Sequence, residues 1–323
     1  MTIAAGFNLK EFVVMFSDTE YTKGNTVYDG PKIFPKDDYP VRIATCFAIA
    51  GSVPNARQAI RKIEEEIAKI EASRVSQNAV IDAVETALQP IYDRLRQRQD
   101  YWANEGPQFN LLMSISAGGT TQLYANYEDV VNEVHEKEFV GAGEDFARYI
   151  TAPIFTQDMS IVDAIGLANY ALTITKQNVA SCGKRSQIVV ISKEYGLPVV
   201  LPEDHIRELE KTQMFLQKHV QEMIFWAMVP GEEEEKDTFK ARAQVLLEAV
   251  EQIRKRKELT RDAYLKLKEE IKIDEGAILR LEDDIGRGEI NPNNVEAAVE
   301  RLKQLNRLVT EATRLWVETA FIP

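Results

Sequence analysis

Cysteine is nearly absent: Cys46 and Cys182 are the only two in 323 residues. Both sit among apolar or small residues and make no disulfide framework, which points to a reducing compartment. Histidine is as scarce. His135, His205 and His219 are scattered, with no second ligand at metal spacing, so no zinc site is expected. No segment reaches the uninterrupted run of roughly 20 apolar residues that a membrane span needs. Nor does the N-terminus carry a charged region, an apolar stretch and a cleavage site in succession. Positive charge is in deficit: 39 Lys and Arg against 51 Asp and Glu leave a net charge of −12. That balance excludes an electrostatic nucleic-acid surface and favours solubility. The "GAG" at 141–143 and "AGG" at 117–119 are single turns rather than a dinucleotide fingerprint. The expectation is a cytoplasmic protein with no cofactor, no metal, no nucleic-acid partner and no membrane.

What the chain has is material for a core. Apolar residues make up 45% of it, enough for ordered domains and too many for global disorder. Residues 2 to about 51 read as strands: "TIAAGFN" and "FVVMFSD" around Leu9-Lys10-Glu11, a third short strand near "GNTVYDGPK", and "VRIATCFAIAG" as a fourth. The period then changes to steps of three and four. Ala56, Ile60, Ile63, Ile67 and Ile70 mark one helix, with Pro54 in its first turn, and Val80, Val84, Leu88, Ile91 and Leu95 a second. Strands return in "FNLLMSISAGGTTQLYANY", broken at Ala117-Gly118-Gly119. A short helix follows "EFVGAG" and stops near Pro153. A longer one spans about 159–178 with Ile161, Ile165, Ala168 and Leu172 on one face. "SQIVVIS" and "GLPVVL" close this part as strands. Two sheets with helices outside both would bury these elements.

Beyond about residue 205 the pattern is helical and charged. Helices are expected at about 206–228, 238–272 and 293–318, with apolar stripes too narrow for an independent core but able to pack on a neighbour. The division expected is therefore a domain over 1–205 and a helical extension over 206–323. That extension is expected to control assembly or access to the site, or to serve as a docking arm.

The stretch "SDTEYTKGNTVYDGPKIF" (17–34) carries the chemistry when taken with Thr2. Together they resemble the start of proteasome β-subunits and of the related bacterial ATP-dependent peptidase, members of the N-terminal nucleophile (Ntn) hydrolases. In that family a threonine begins an apolar strand, an aspartate follows sixteen residues on, and then come a threonine or serine, a glycine and a lysine before an apolar residue. Here Thr2, Asp18, Thr22, Gly24 and Lys32 stand in that order, and the resemblance covers about residues 2–205. It implies an α+β, four-layer α-β-β-α Ntn-hydrolase sandwich followed by an all-helical extension.

The resemblance also implies roles. Removal of Met1 would give Thr2 a hydroxyl nucleophile and a free α-amine, whose reference pKa of about 7.7–8.0 suits a base at neutral pH. Lys32 would stay protonated beside the hydroxyl, and Asp18 would hold the lysine in place. "AIAGSV" (48–53) resembles the oxyanion stretch and assigns the donor to Gly51. "KQNVASCGK" (176–184) resembles the loop that carries an aspartate and a serine, placing Asn178 and Ser181 there, or Val179 and Cys182 if shifted by one. Ala142 stands where a supporting serine is common. Cys182 reads as a small buried thiol rather than a nucleophile. Thr22 and Gly51 would pair with an extended peptide through their backbones. Tyr21, Ile49 and Val53 would line a pocket for an apolar residue before the cut. The function implied is a threonine peptidase acting on peptides or unfolded protein, in a homo-oligomer, served by an ATP-dependent unfoldase or other adaptor. Two other readings stay open: a non-catalytic structural or partner-binding subunit of the same fold, and an Ntn amidase on a small substrate.

Overall fold

The computed structural model describes residues 2–23, 26–39, 41–97 and 109–228. By contacts the chain divides into two units, 1–214 and 215–323. The expected helices at 238–272 and 293–318 lie outside the described residues, as do Met1 and Gly24.

Twelve strands and five α-helices are described. β1 (Ala4–Asn8) and β2 (Phe12–Asp18) are followed by β3 (Glu20–Lys23), β4 (Thr26–Asp29), β5 (Ile33–Lys36) and β6 (Ile43–Gly51). The helices α1 (Val53–Ile67) and α2 (Gln77–Arg96) precede β7 (Phe109–Ala117), β8 (Thr120–Tyr127), β9 (Val130–Glu133) and β10 (Lys137–Val140). Then come α3 (Glu144–Thr151), α4 (Ile161–Asn178), β11 (Ser186–Ser192), β12 (Pro198–Val200) and α5 (Glu203–Met228).

The strands form two five-stranded antiparallel sheets, ordered β10-β1-β2-β11-β12 and β5-β6-β7-β8-β9, with β3 and β4 as a separate hairpin. Residues 4–8 pair with both β2 and β10, so the first strand is interior to its sheet. That position explains why β1 and β2 are apolar on both faces: one face meets the other sheet and the other meets helices. Between the sheets lie Ala4, Val13, Met15, Val189 and Ile191 from the first, against Ile33, Cys46, Ala48, Leu112 and Leu123 from the second. On the far side of the second sheet, α1 and α2 bury their periodic residues against Phe47, Ile49, Phe109, Leu111 and Met113. On the far side of the first, α3 and α4 pack over β10, β2 and β11. There Phe7 meets Phe16, Phe139 and Phe155 at ring-centroid distances of 4.8, 6.1 and 5.1 Å. The architecture is the expected α-β-β-α sandwich.

Local chemistry sets the helix starts. Ser76 accepts from Ala79 N (3.2 Å) and Ser160 from Asp163 N (3.2 Å), each satisfying a first-turn amide. Pro54 sits in the first turn of α1, where the lost N–H has no helical acceptor. Two strands here, β3 and β5, escape a periodicity reading. The hairpin of β3 and β4 exposes all of Thr26–Asp29, and β5 contains Pro35. β5 is at a sheet edge, which is where a proline is tolerated.

Candidate active site

β1 begins and β2 ends at the same edge of their sheet, because the pair is antiparallel with Ala4 opposite Ser17. This register brings Thr2 and Asp18 together. Lys32 enters from the second sheet, just before β5. All three side chains are buried, Asp18 and Lys32 at 0% exposure and Thr2 at 3%.

Asp18 is the hub. Its Oδ1 accepts from the Thr2 hydroxyl (2.5 Å), Ile3 N (3.1 Å) and Lys32 Nζ (2.6 Å). Its Oδ2 accepts from Gly183 N (2.9 Å) and Glu20 N (3.3 Å). Lys32 Nζ also donates to Thr2 Oγ1, and it lies 5.0 Å from the centre of the Tyr21 ring. The ammonium therefore has a carboxylate, a hydroxyl and a π face around it. Burial pushes the Lys32 pKa below its ordinary value, with Asp18 opposing that shift. A lysine so placed can act on the Thr2 hydroxyl directly.

Two glycines shape the surroundings through their backbones. Gly141 has φ of +101°, and a Cβ there would run into the Thr2 carbonyl. Gly143 N donates to that same carbonyl (3.2 Å). Gly51 ends β6 with φ of +81°, a conformation side chains rarely adopt. Lys32 O accepts from Ile49 N (3.0 Å), so Gly51 is two residues beyond the partner of Lys32 on the neighbouring strand.

The 182–185 loop closes the site from far along the chain, Gly183 lying 165 positions beyond Asp18. Besides Gly183 on Asp18, Thr19 N donates to Arg185 O (2.9 Å) and Arg185 N donates to Thr19 Oγ1 (3.0 Å). Cys182 is the loop side chain beside the cluster. Its thiol is buried, pushed up to about 12 by desolvation first and by Asp18 next, with Lys32 opposing. A thiol so protonated is a poor nucleophile at neutral pH.

The remaining expected residues are dispersed. Asn178 donates its amide to Ile174 O (2.7 Å), back onto its own helix. Ser181 is half-buried, and no hydrogen bond joins it to Thr2, Asp18 or Lys32. Ile49 is buried within the apolar cluster under α1 and α2, and Tyr21 and Val53 pack at the margin of that cluster. The Tyr21 hydroxyl donates to Pro31 O. Thr22 is exposed on β3. The contacts of Gly141, Gly143, Gly183 and the Glu20 amide are backbone contacts, and sequence reading missed them. The "GAG" turn was the one visible signal. Among the described residues, no group of three His, Cys, Asp or Glu could hold a metal, and no helix is long and apolar enough to cross a membrane.

Residues 2–191 match the family described as Proteasome subunit. The chain is 30% identical over 199 residues to Proteasome subunit beta 2 of Thermococcus gammatolerans, covering 60% of this chain and 91% of that one. It is 25% identical over 213 residues to Proteasome subunit beta of Thermoplasma acidophilum, covering 64% and 91%. Among solved structures, the helical assembly of the Anbu complex from Pseudomonas aeruginosa shares the fold with a TM-score of 0.57 at 14% identity, over 71% of this chain and 98% of that chain.

Proposed function

The chain belongs to the proteasome subunit family, and from that premise we propose that it is a threonine-type peptidase with Thr2 as nucleophile. The observation that carries this reading is the convergence of Lys32 Nζ and Asp18 Oδ1 on the buried Thr2 hydroxyl. An unassisted hydroxyl is a weak nucleophile, and this is the arrangement that activates one.

In this reading cleavage of the Met1–Thr2 bond frees the α-amine. The amine takes the hydroxyl proton as Thr2 Oγ1 attacks the scissile carbonyl carbon. Lys32, held protonated by Asp18, stabilises the oxygen as charge develops on it. The Gly51 N–H donates to the oxyanion, and its left-handed backbone favours a residue without a side chain. The leaving amine collects the proton, an ester forms on Thr2, and water then releases the acyl group. Backbone pairing at Thr22 and Gly51 holds the peptide extended, and Tyr21, Ile49 and Val53 favour an apolar residue before the cut.

Assembly belongs to the same proposal. The Anbu complex is a helical assembly in the related structure, and by that likeness we assign this chain to a homo-oligomer; its free cysteines Cys46 and Cys182 suit the cytoplasm. Its substrate is unfolded protein, delivered by an ATP-dependent unfoldase or another adaptor.

The test is turnover of short fluorogenic peptides by protein whose intact mass shows Met1 removed. Thr2→Ala should abolish turnover without changing the oligomer seen by light scattering. Undiminished turnover in Thr2→Ala would overturn the mechanism. An inert wild type with a fully released Thr2 assigns the chain to a non-catalytic subunit instead.

A further inference from the structure

Lys32 is fixed at its backbone as well as at its ammonium. On one side its carbonyl accepts from Ile49 N of β6. On the other, Lys32 N donates to the side-chain oxygen of Gln187 (2.7 Å), which also accepts from Ile33 N (3.2 Å). Gln187 lies on β11, in register with Ser17, the residue before Asp18. A side chain of one sheet thus takes two successive amides at the start of β5 on the other. Two donors match the two lone pairs of a carbonyl oxygen. β5 pairs with β6 alone and carries a proline, so Gln187 supplies a hold that no neighbouring strand gives.

We propose that Gln187 is a positioning residue for Lys32, a neutral acceptor that fixes the backbone from which the lysine reaches Thr2. The proposal rests on the peptidase reading for its effect on turnover, but not for its effect on the lysine. Neutrality is the point of the choice. A glutamate could accept the same two amides, yet it would add a negative charge at the backbone of a lysine whose ammonium is already paired with Asp18. That charge favours the protonated lysine. A leucine would leave two amides without an acceptor and let the start of β5 shift.

The experiment uses full-length protein, with the Lys32 titration followed by NMR on 15N-lysine-labelled chain alongside peptide kinetics. Gln187→Glu should leave the thermal midpoint near wild type, raise the Lys32 pKa and move the alkaline limb of kcat/KM to higher pH. Gln187→Leu should lower kcat on the order of 10- to 100-fold, as expected for a displaced catalytic group, with KM little changed. A Lys32 titration that stays put in Gln187→Glu, with kcat at the wild-type level in Gln187→Leu, overturns the proposal and leaves Gln187 an ordinary bridge between sheets. A Lys32 titration that moves in Gln187→Glu, when the wild type shows no turnover, supports the positioning role and defeats the peptidase reading alone.

Discussion

Two lysine–aspartate pairs in this chain use the same chemistry in opposite surroundings. Lys10 and Asp158 meet on the surface, with side chains 72% and 71% exposed. Lys32 and Asp18 meet with both side chains at 0%. In the first pair the aspartate's hydrogen bond and charge raise the lysine pKa above 10.5, because desolvation, the one opposing effect, is slight. In the second, loss of water outweighs the same carboxylate and the lysine moves below 10.5. At Lys32 burial outweighs the partner in setting the direction of the shift. Stability does not require a buried pair, since apolar side chains of similar volume often do as well or better. Its position beside Thr2 fits a chemical role.

The comparison breaks most sharply if the ammonium of the buried pair is removed. Lys32→Met should abolish peptide turnover and lower stability by about 3 kcal/mol, the low end for breaking a buried pair. The low end applies because Asp18 keeps four other donors, from Thr2, Ile3, Gly183 and Glu20. Urea midpoints and turnover check both parts, and a variant that stays active sinks the role given to Lys32.

A titration sharpens the contrast without a mutation. Lysine 15N NMR should show Lys32 losing its proton below 10.5 and Lys10 above it. The linked stabilities have opposite signs. Between the depressed Lys32 value and 10.5 the unfolded chain keeps a proton that the folded chain has released, so the Lys32 contribution grows with rising pH. The Lys10 contribution is complete below 10.5 and is lost as pH rises through its raised value. Titration in the reverse order would remove the argument from burial. The smallest effect is expected from Asp158→Asn, which should leave both the urea midpoint and turnover within error, as exposed pairs contribute little.

α1 and α2 were legible because each has one apolar stripe, and the long strands because they are near-continuous apolar runs. The residues read as stripes for α1 and α2 are buried from Ala56 to Ile67 and from Val80 to Leu95, while Ile70 falls beyond the end of α1. The short strands β3, β5, β9 and β10 were not separable, since four residues with mixed exposure show no alternation. The meeting of Thr2, Asp18 and Lys32 could be anticipated from the family resemblance, because the chemistry restricts those positions to particular side chains. The rest of the site is built from amides, which every residue has. Nothing in the letters distinguishes Gly183 N on Asp18 from any other loop amide. Asn178 and Ser181 illustrate the converse: at the end of α4, Asn178 finds a nearer acceptor in Ile174 O, so its amide is spent on the helix.

The reach of Asp18 has a consequence in time. Its carboxylate is completed by an amide 165 positions downstream. At synthesis rates of 5–20 residues per second, roughly 10–30 s separate the appearance of Asp18 from that of Gly183. Throughout that interval a growing chain holds Thr2 but lacks the loop that closes its cluster. On the peptidase reading, a nascent chain would thus lack the completed cluster while it is unfolded and surrounded by other unfolded chains.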